Sequence, residues 1–173
     1  MQQGMIHLYV GDGKGKTTAA VGLCVRMAGT GGRVVFAQFL KDARSHEREI
    51  LARLPEVTLV PVPERVKFTA RMTPEERAGA AAFWAQTLET AFALAQDAAL
   101  LVLDEALDAA RKGFFPKERL LRLLGARPRG LEVVVTGHAP DPALLAAADY
   151  VTIMKNGKHP YEKGVCARAG IEF

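Results

Sequence analysis

Gly11 to Thr18, GDGKGKTT, lies between the short apolar run Met5–Val10 (MIHLYV) and a stretch in which Ala20, Val21, Cys24, Val25 and Met27 recur at helical spacing up to Ala28. That order reads as strand, tight loop and helix, the opening of a mostly parallel sheet. Three glycines in five positions let successive N–H groups turn into one concavity, and the helix over Thr17–Ala28 aims its positive dipole end there. A polyphosphate is the natural occupant. Gly11, Asp12, Gly13, Lys14, Gly15, Lys16, Thr17 and Thr18 are therefore candidate nucleotide-binding residues, with Lys16 and Lys14 as cations on phosphate oxygens and Thr17 offering a hydroxyl to a magnesium ion. Against the usual G-x-x-x-x-G-K-[ST] spacing, the fifth position before Gly15 is Val10, so the loop is one residue short. The alternative is a glycine-rich hairpin, which would not call for Lys-Gly-Lys-Thr-Thr followed by a helix.

Outward from the loop, Arg33–Leu40 (RVVFAQFL) reads as a buried strand and completes a right-handed βαβ unit. In such sheets ligands sit beyond the carboxyl ends of the strands, which puts Gln38, Lys41, His46 and Glu47 near the site; each is equally an ordinary surface residue. A helix over Glu47–Leu54 and a strand over Val57–Val62 follow. The connection Pro61–Thr73 carries Arg65, Lys67, Phe68 and Arg71, a composition suited to gripping a large planar ligand, or else a solvated link with Phe68 folded into the core. Thr73-Pro74-Glu75-Glu76 starts a helix running to about Gln96, with Trp84 in the core. The strand Ala98–Leu103 then ends in Asp104-Glu105. A buried strand that delivers acids to its carboxyl end is the partner of a phosphate loop, where the acids hold magnesium directly or through water; Asp104 as a helix N-cap is the alternative. A helix over Pro116–Leu124, a strand over Leu131–Thr136, a helix over Asp141–Ala147 and a strand over Tyr150–Met154 complete the pattern. His138 is either a γ-phosphate sensor or structural. Residues 155–173 form an irregular tail, with Pro160, Tyr161, Val165, Ile171 and Phe173 to dock it on the body.

At 173 residues, 49% hydrophobic and 24% charged, the chain suits one domain, 1–173, with a sizeable core. The net charge of +4 comes from scattered lysines and arginines, which favours an anionic small molecule over nucleic acid. Cys24 and Cys166 have neither metal spacing nor a disulfide framework, and no apolar stretch approaches a membrane span. A soluble cytoplasmic protein without membrane contact is expected.

Taken together, GDGKGKTTAA at Gly11, AQFLK at Ala37 with Glu47-Arg48, LVLDE at Leu101, ARP at Ala126 before VVVTG at Val133, and KHPYEKGVCARAGIEF at Lys158 resemble the P-loop type of ATP:corrinoid adenosyltransferase. The pieces run in family order over almost the whole chain. The short loop is what that family carries, as GxGKGKTT. The resemblance implies an α/β, RecA-like P-loop fold with helices on both faces of the sheet. It also implies transfer of the 5′-deoxyadenosyl group of ATP to Co(I) of a corrinoid (cobalamin or cobyrinic acid a,c-diamide), with triphosphate released. Lys16 and Lys14 would neutralise phosphates, Thr17 and Glu105 would hold magnesium with Asp104 supporting that shell, and Phe68 would help remove the lower cobalt ligand. Gln38, Lys41, Glu47 and His138 join the nucleotide-binding set. An electron-donating reductase and a homodimer are the implied partners. The chain departs from the family pattern at Ala70, where some relatives have tryptophan, and at His138, where TGR is common; only Met1 to Gly4 precede the first strand.

Overall fold

The computed structural model describes residues 3–160 and 164–171. Its six strands are β1 (Ile6–Val10), β2 (Val34–Gln38), β3 (Val57–Leu59), β4 (Leu100–Asp104), β5 (Glu132–Thr136) and β6 (Tyr150–Ile153), ordered β3-β2-β4-β5-β1-β6. Every pairing is parallel. Parallel strands need crossovers, and the helices that supply them cover both faces, so the central strands are apolar on both sides. β2 and β4 are buried along their whole lengths. Alternate residues divide between two cores: Val34, Phe36, Leu100, Val102 and Val134 pack with Ala20 and Cys24 of α1 (Lys16–Ala28) and Leu51 of α2 (Glu47–Leu51). Val35, Ala37, Leu101, Leu103, Val133 and Val135 pack on the other face. Their partners there are Trp84, Leu88 and Phe92 of α3 (Pro74–Leu94) and Leu120 and Leu124 of α5 (Lys117–Gly125).

The helix starts follow local chemistry. Thr73 accepts the N–H of Glu76, whose carboxylate in turn accepts the N–H of Thr73, a reciprocal cap with Pro74 at the first helical position. Asp141 caps α6 (Pro142–Ala147) by accepting the N–H of Ala143, again with proline at the first helical position. Several elements differ from the sequence expectation, among them α2, which ends at Leu51 rather than Leu54. β3 stops at Leu59 rather than Val62, because Pro61 and Pro63 offer no N–H to a ladder. A helix absent from the sequence reading, α4 (Ala106–Arg111), follows β4 at once. Among the described residues no helix is long and apolar enough to cross a membrane.

Candidate functional site

The glycine loop between β1 and α1 is shaped by the far end of the chain. The N–H of Gly11 donates to the carbonyl of His138 at 2.9 Å and that of Gly13 to the carbonyl of Met154 at 2.8 Å, while the N–H of Met154 donates to Val10 at 2.7 Å. Gly11 has φ 111°, and a Cβ there would lie 2.2 Å from the Met154 carbonyl oxygen; one on Gly13 would lie 2.7 Å from the Met154 carbonyl carbon. Only glycine fits either place. Asp12 accepts the N–H of Asn156, so its carboxylate faces the segment after β6. α1 begins at Lys16 without a side-chain cap, which leaves its first N–H groups free of intrahelical partners. The Lys16 ammonium arches over the loop and donates to the carbonyls of Gly11 (2.7 Å) and Gly13 (2.8 Å). Lys14 is exposed on the rim.

Asp104, at the end of β4, is fully buried. One carboxylate oxygen accepts from the hydroxyls of Thr17 (2.9 Å) and Thr136 (2.8 Å), the other from Lys41 Nζ (2.9 Å) and Gln38 Nε2 (3.3 Å). The same Thr136 hydroxyl accepts the N–H of Glu105 at 2.9 Å. Glu105 adopts a left-handed conformation, φ 59°, and this turn swings its side chain away from Asp104 into the cleft. Burial pushes the Glu105 carboxyl up, Lys41 opposes that, and the charges of Asp104 and Asp108 add to the rise. Burial works against the Lys41 charge, yet the carboxylates of Asp104, Glu105 and Glu47 together outweigh it and hold its pKa above the usual lysine value. Gln38 is fixed in turn by Glu47 (2.7 Å) and Arg48 (3.3 Å). Under α1, burial and then the Asp104 charge push the Cys24 thiol up to about 12, so it behaves as a small apolar side chain.

At the end of β5 the ring of His138 meets Asp108, Nδ1 to Oδ2 at 2.8 Å, and its N–H donates to the same oxygen at 3.0 Å. Arg111 donates to the other Asp108 oxygen at 2.9 Å. An ionised carboxylate only accepts, which places the proton on Nδ1 and leaves Nε2 unprotonated when the ring is neutral.

Gly13 to Thr18, Lys41, Glu47, Phe68, Glu105 and His138 line one cleft of about 1000 Å³. Gln38 and Asp104 stand behind it, and Gly11 and Asp12 form the back of the loop. The lining of the same cleft also includes the apolar residues Val66, Phe68, Met72 and Phe114. Phe68 is 78% exposed, so it is not folded into the core. Lys67 beside it pairs with Glu76 at 2.7 Å, tying that connection to the start of α3. Trp84 is buried as expected and also reaches the cleft floor. The N-cap alternative for Asp104 falls, since Glu105 is the residue that precedes α4. Of the residues expected to dock the tail, Val165 and Ile171 are about half exposed, although Ile171 and Gly170 border the cleft; Tyr161 and Phe173 lie outside the described residues. Sequence reasoning missed Thr136, Asp108 and Arg48. A polar residue closing the apolar run LEVVVT was the available signal for Thr136. Asp108 and Arg48 had none, since their roles depend on which strands become neighbours.

A tight loop from a parallel strand into a helix, with a helix threonine hydrogen-bonded to an aspartate at the end of another strand, defines a P-loop nucleotide-binding α/β protein. A KaiC-like protein of the archaeon Pyrococcus horikoshii shares this fold, with TM-score 0.55 at 20% identity over 91% of this chain and 75% of that one. Within the class, the chain belongs to the ATP:corrinoid adenosyltransferase family (BtuR/CobO/CobP), which it matches over residues 2–173. It is 35% identical to the corrinoid adenosyltransferase of Pseudomonas aeruginosa across 99% of this chain and 85% of that protein. Its identity to the Escherichia coli corrinoid adenosyltransferase is 29% across 99% and 87%. The corrinoid adenosyltransferase CobA of Salmonella typhimurium is 28% identical across the same shares.

Proposed function

We propose that this protein transfers the 5′-deoxyadenosyl group of ATP to the Co(I) centre of a corrinoid. The observation that carries the proposal is a single cleft lined both by a phosphate-binding loop and by apolar residues that include an exposed phenylalanine. The cobalt electron pair forms the Co–C bond at the 5′ carbon as the C–O bond to triphosphate breaks, and triphosphate leaves with that bonding pair. The corrinoid supplies the nucleophile, so the chain's contribution is to align two substrates and to stabilise charge on the leaving group. Lys16, Lys14 and the free N–H groups at the start of α1 receive the triphosphate. His138, at the end of β5, lines the same cleft with its Nδ1 and backbone N–H already given to Asp108. Phe68 and the neighbouring apolar residues face the corrin ring and keep a lower ligand from the cobalt.

Magnesium suits the oxygen donors around Thr17. The Thr17 hydroxyl and the Glu105 carboxylate are hard ligands, and Asp104 orients Thr17 from behind. Among the described residues no group of three or more His, Cys, Asp or Glu side chains is placed to hold a metal ion. Bound there, magnesium would spread the negative charge of the triphosphate. The proposal takes 1–173 as one nucleotide-binding domain with the 155–173 tail against the cleft, supported by Gly170 and Ile171 at its border. It also includes a homodimer in the cytoplasm and a reductase that delivers the electron for Co(I).

Anaerobic incubation with ATP, magnesium and a reduced corrinoid tests the reaction. The absorption spectrum of an adenosylcorrinoid should appear with one equivalent of intact triphosphate. Release of orthophosphate and ADP without a Co–C product would instead make the protein a nucleotide hydrolase or phosphotransferase.

A further inference from the structure

The Lys41 ammonium stands in an unusual place. It follows β2, on the segment after the left-handed Leu40 (φ 59°), and its Nζ donates to Thr17 Oγ1 at 3.1 Å and Asp104 Oδ2 at 2.9 Å. Glu47 and Glu105 each lie 3.8 Å from the same nitrogen. A single positive charge thus sits among three carboxylates and the hydroxyl assigned above to magnesium. Those groups sum to −2 with Lys41 included, the charge that one divalent ion would cancel. Without Lys41 the sum is −3. A magnesium ion bonds oxygen at about 2.0–2.1 Å, so one that reaches Thr17 and Glu105 must come close to the place where Nζ now stands. Two cations so near each other in a partly buried site repel strongly.

We infer that Lys41 is a resident cation: it holds the divalent-metal position while the cleft lacks nucleotide and must swing aside when the metal enters. The phosphates of ATP are the new partner that lets it move, and Glu47, already 3.8 Å from Nζ, is a further acceptor. Metal binding is thereby made conditional on nucleotide. This rests on the assignment of Thr17 and Glu105 to magnesium.

Manganese, followed by electron paramagnetic resonance, serves as the probe, with and without a non-transferable ATP analogue. Nucleotide-free wild type should bind Mn²⁺ weakly, and Lys41→Met should bind it at least about tenfold more tightly, since a nearby positive charge has been removed. Lys41→Arg should remain weak. In ¹⁵N-lysine NMR of the wild-type protein, the hydrogen-bonded Lys41 ammonium signal should be present without ligands and lose its protection when Mg²⁺ and the analogue are added together. A Lys41→Met protein that binds Mn²⁺ no better than wild type would overturn the inference, as would a Lys41 signal unchanged by Mg²⁺ and analogue. The NMR arm decides even where the methionine variant does not fold. Glu105→Gln tests the metal assignment separately: if it weakens Mn²⁺ binding with analogue while Lys41→Met changes nothing, only the role of Lys41 fails. If Glu105→Gln is without effect, the metal position itself is wrong.

Discussion

Asp104 and Glu105 are adjacent in sequence and have different positions in the fold. The first is saturated by Thr17, Thr136, Lys41 and Gln38, whereas the second is turned toward the cleft by a left-handed backbone. The sequence pattern of a buried strand ending in two acids made both visible. The pattern alone did not divide their roles, which the family resemblance did by giving magnesium to Glu105 with Asp104 in support; in the fold the division depends on Thr136, which arrives from another strand. Roles of the phosphate loop and of Phe68 separate by substitution. Lys16→Ala should retain the fold and lower adenosyl transfer at least about 100-fold, since it removes a charge aimed at the leaving group. Phe68→Ala should leave ATP binding intact and weaken the corrinoid step about tenfold, the scale of one lost aromatic contact. Equal loss of ATP affinity in both variants, measured by calorimetry, would contradict this separation. Asp108 gives a pH signature. Although burial raises its pKa, hydrogen bonds and charge from His138 and Arg111 outweigh that and hold it below the ordinary value. Its contribution is therefore fully present above the unfolded value of about 3.9 and disappears as pH falls through the lower folded value. Asp108→Asn should cost about 2 kcal/mol at neutral pH and flatten the acid limb of the melting-temperature profile.

Among the elements, those with a clear start or a long period were legible. α3 announced itself through Thr73-Pro74-Glu75-Glu76, and the reciprocal cap is present. Thr73→Ala should destabilise the protein by about 1 kcal/mol in urea unfolding. Because Glu76 also holds Lys67, the same variant should increase proteolytic cleavage between residues 61 and 73. α4 escaped notice because its six residues begin directly after Glu105 and are too few to show a period. β3 was read too long because the apolar run of Val57–Val62 continues after proline has ended the ladder.

For the whole molecule, sequence patterning gave a parallel sheet with helices on both faces but not the order of its strands. Long-range pairing decides that β5 lies between the loop-bearing β1 and the acid-bearing β4, which is how His138 comes to one side of the phosphate loop. Among the described residues of the tail none belongs to the two cores, and Gly170 and Ile171 border the cleft. Truncation before Gly164 should therefore change unfolding free energy by less than about 1 kcal/mol while reducing affinity for the second substrate; a large loss of stability would show that the tail is part of the body instead.

The grip of Met154 on Gly13, and of Asn156 on Asp12 across 144 positions of sequence, has a bearing on how the protein comes into being. A nascent chain carries GDGKGKTT before β6 is made; until then the Lys16 ammonium is the local group that restrains Gly11 and Gly13, and the contacts from Met154 and Asn156 are still missing. The closing contact can form only after β6 has been synthesised, and such distant closures are slow to form. A ribosome-bound chain that has not yet extended past β6 would thus display the motif without retaining ATP. Nucleotide capture then reports synthesis through β6, and fragments ending before β6 should be retained poorly on ATP resin despite containing every phosphate-contacting residue of the loop.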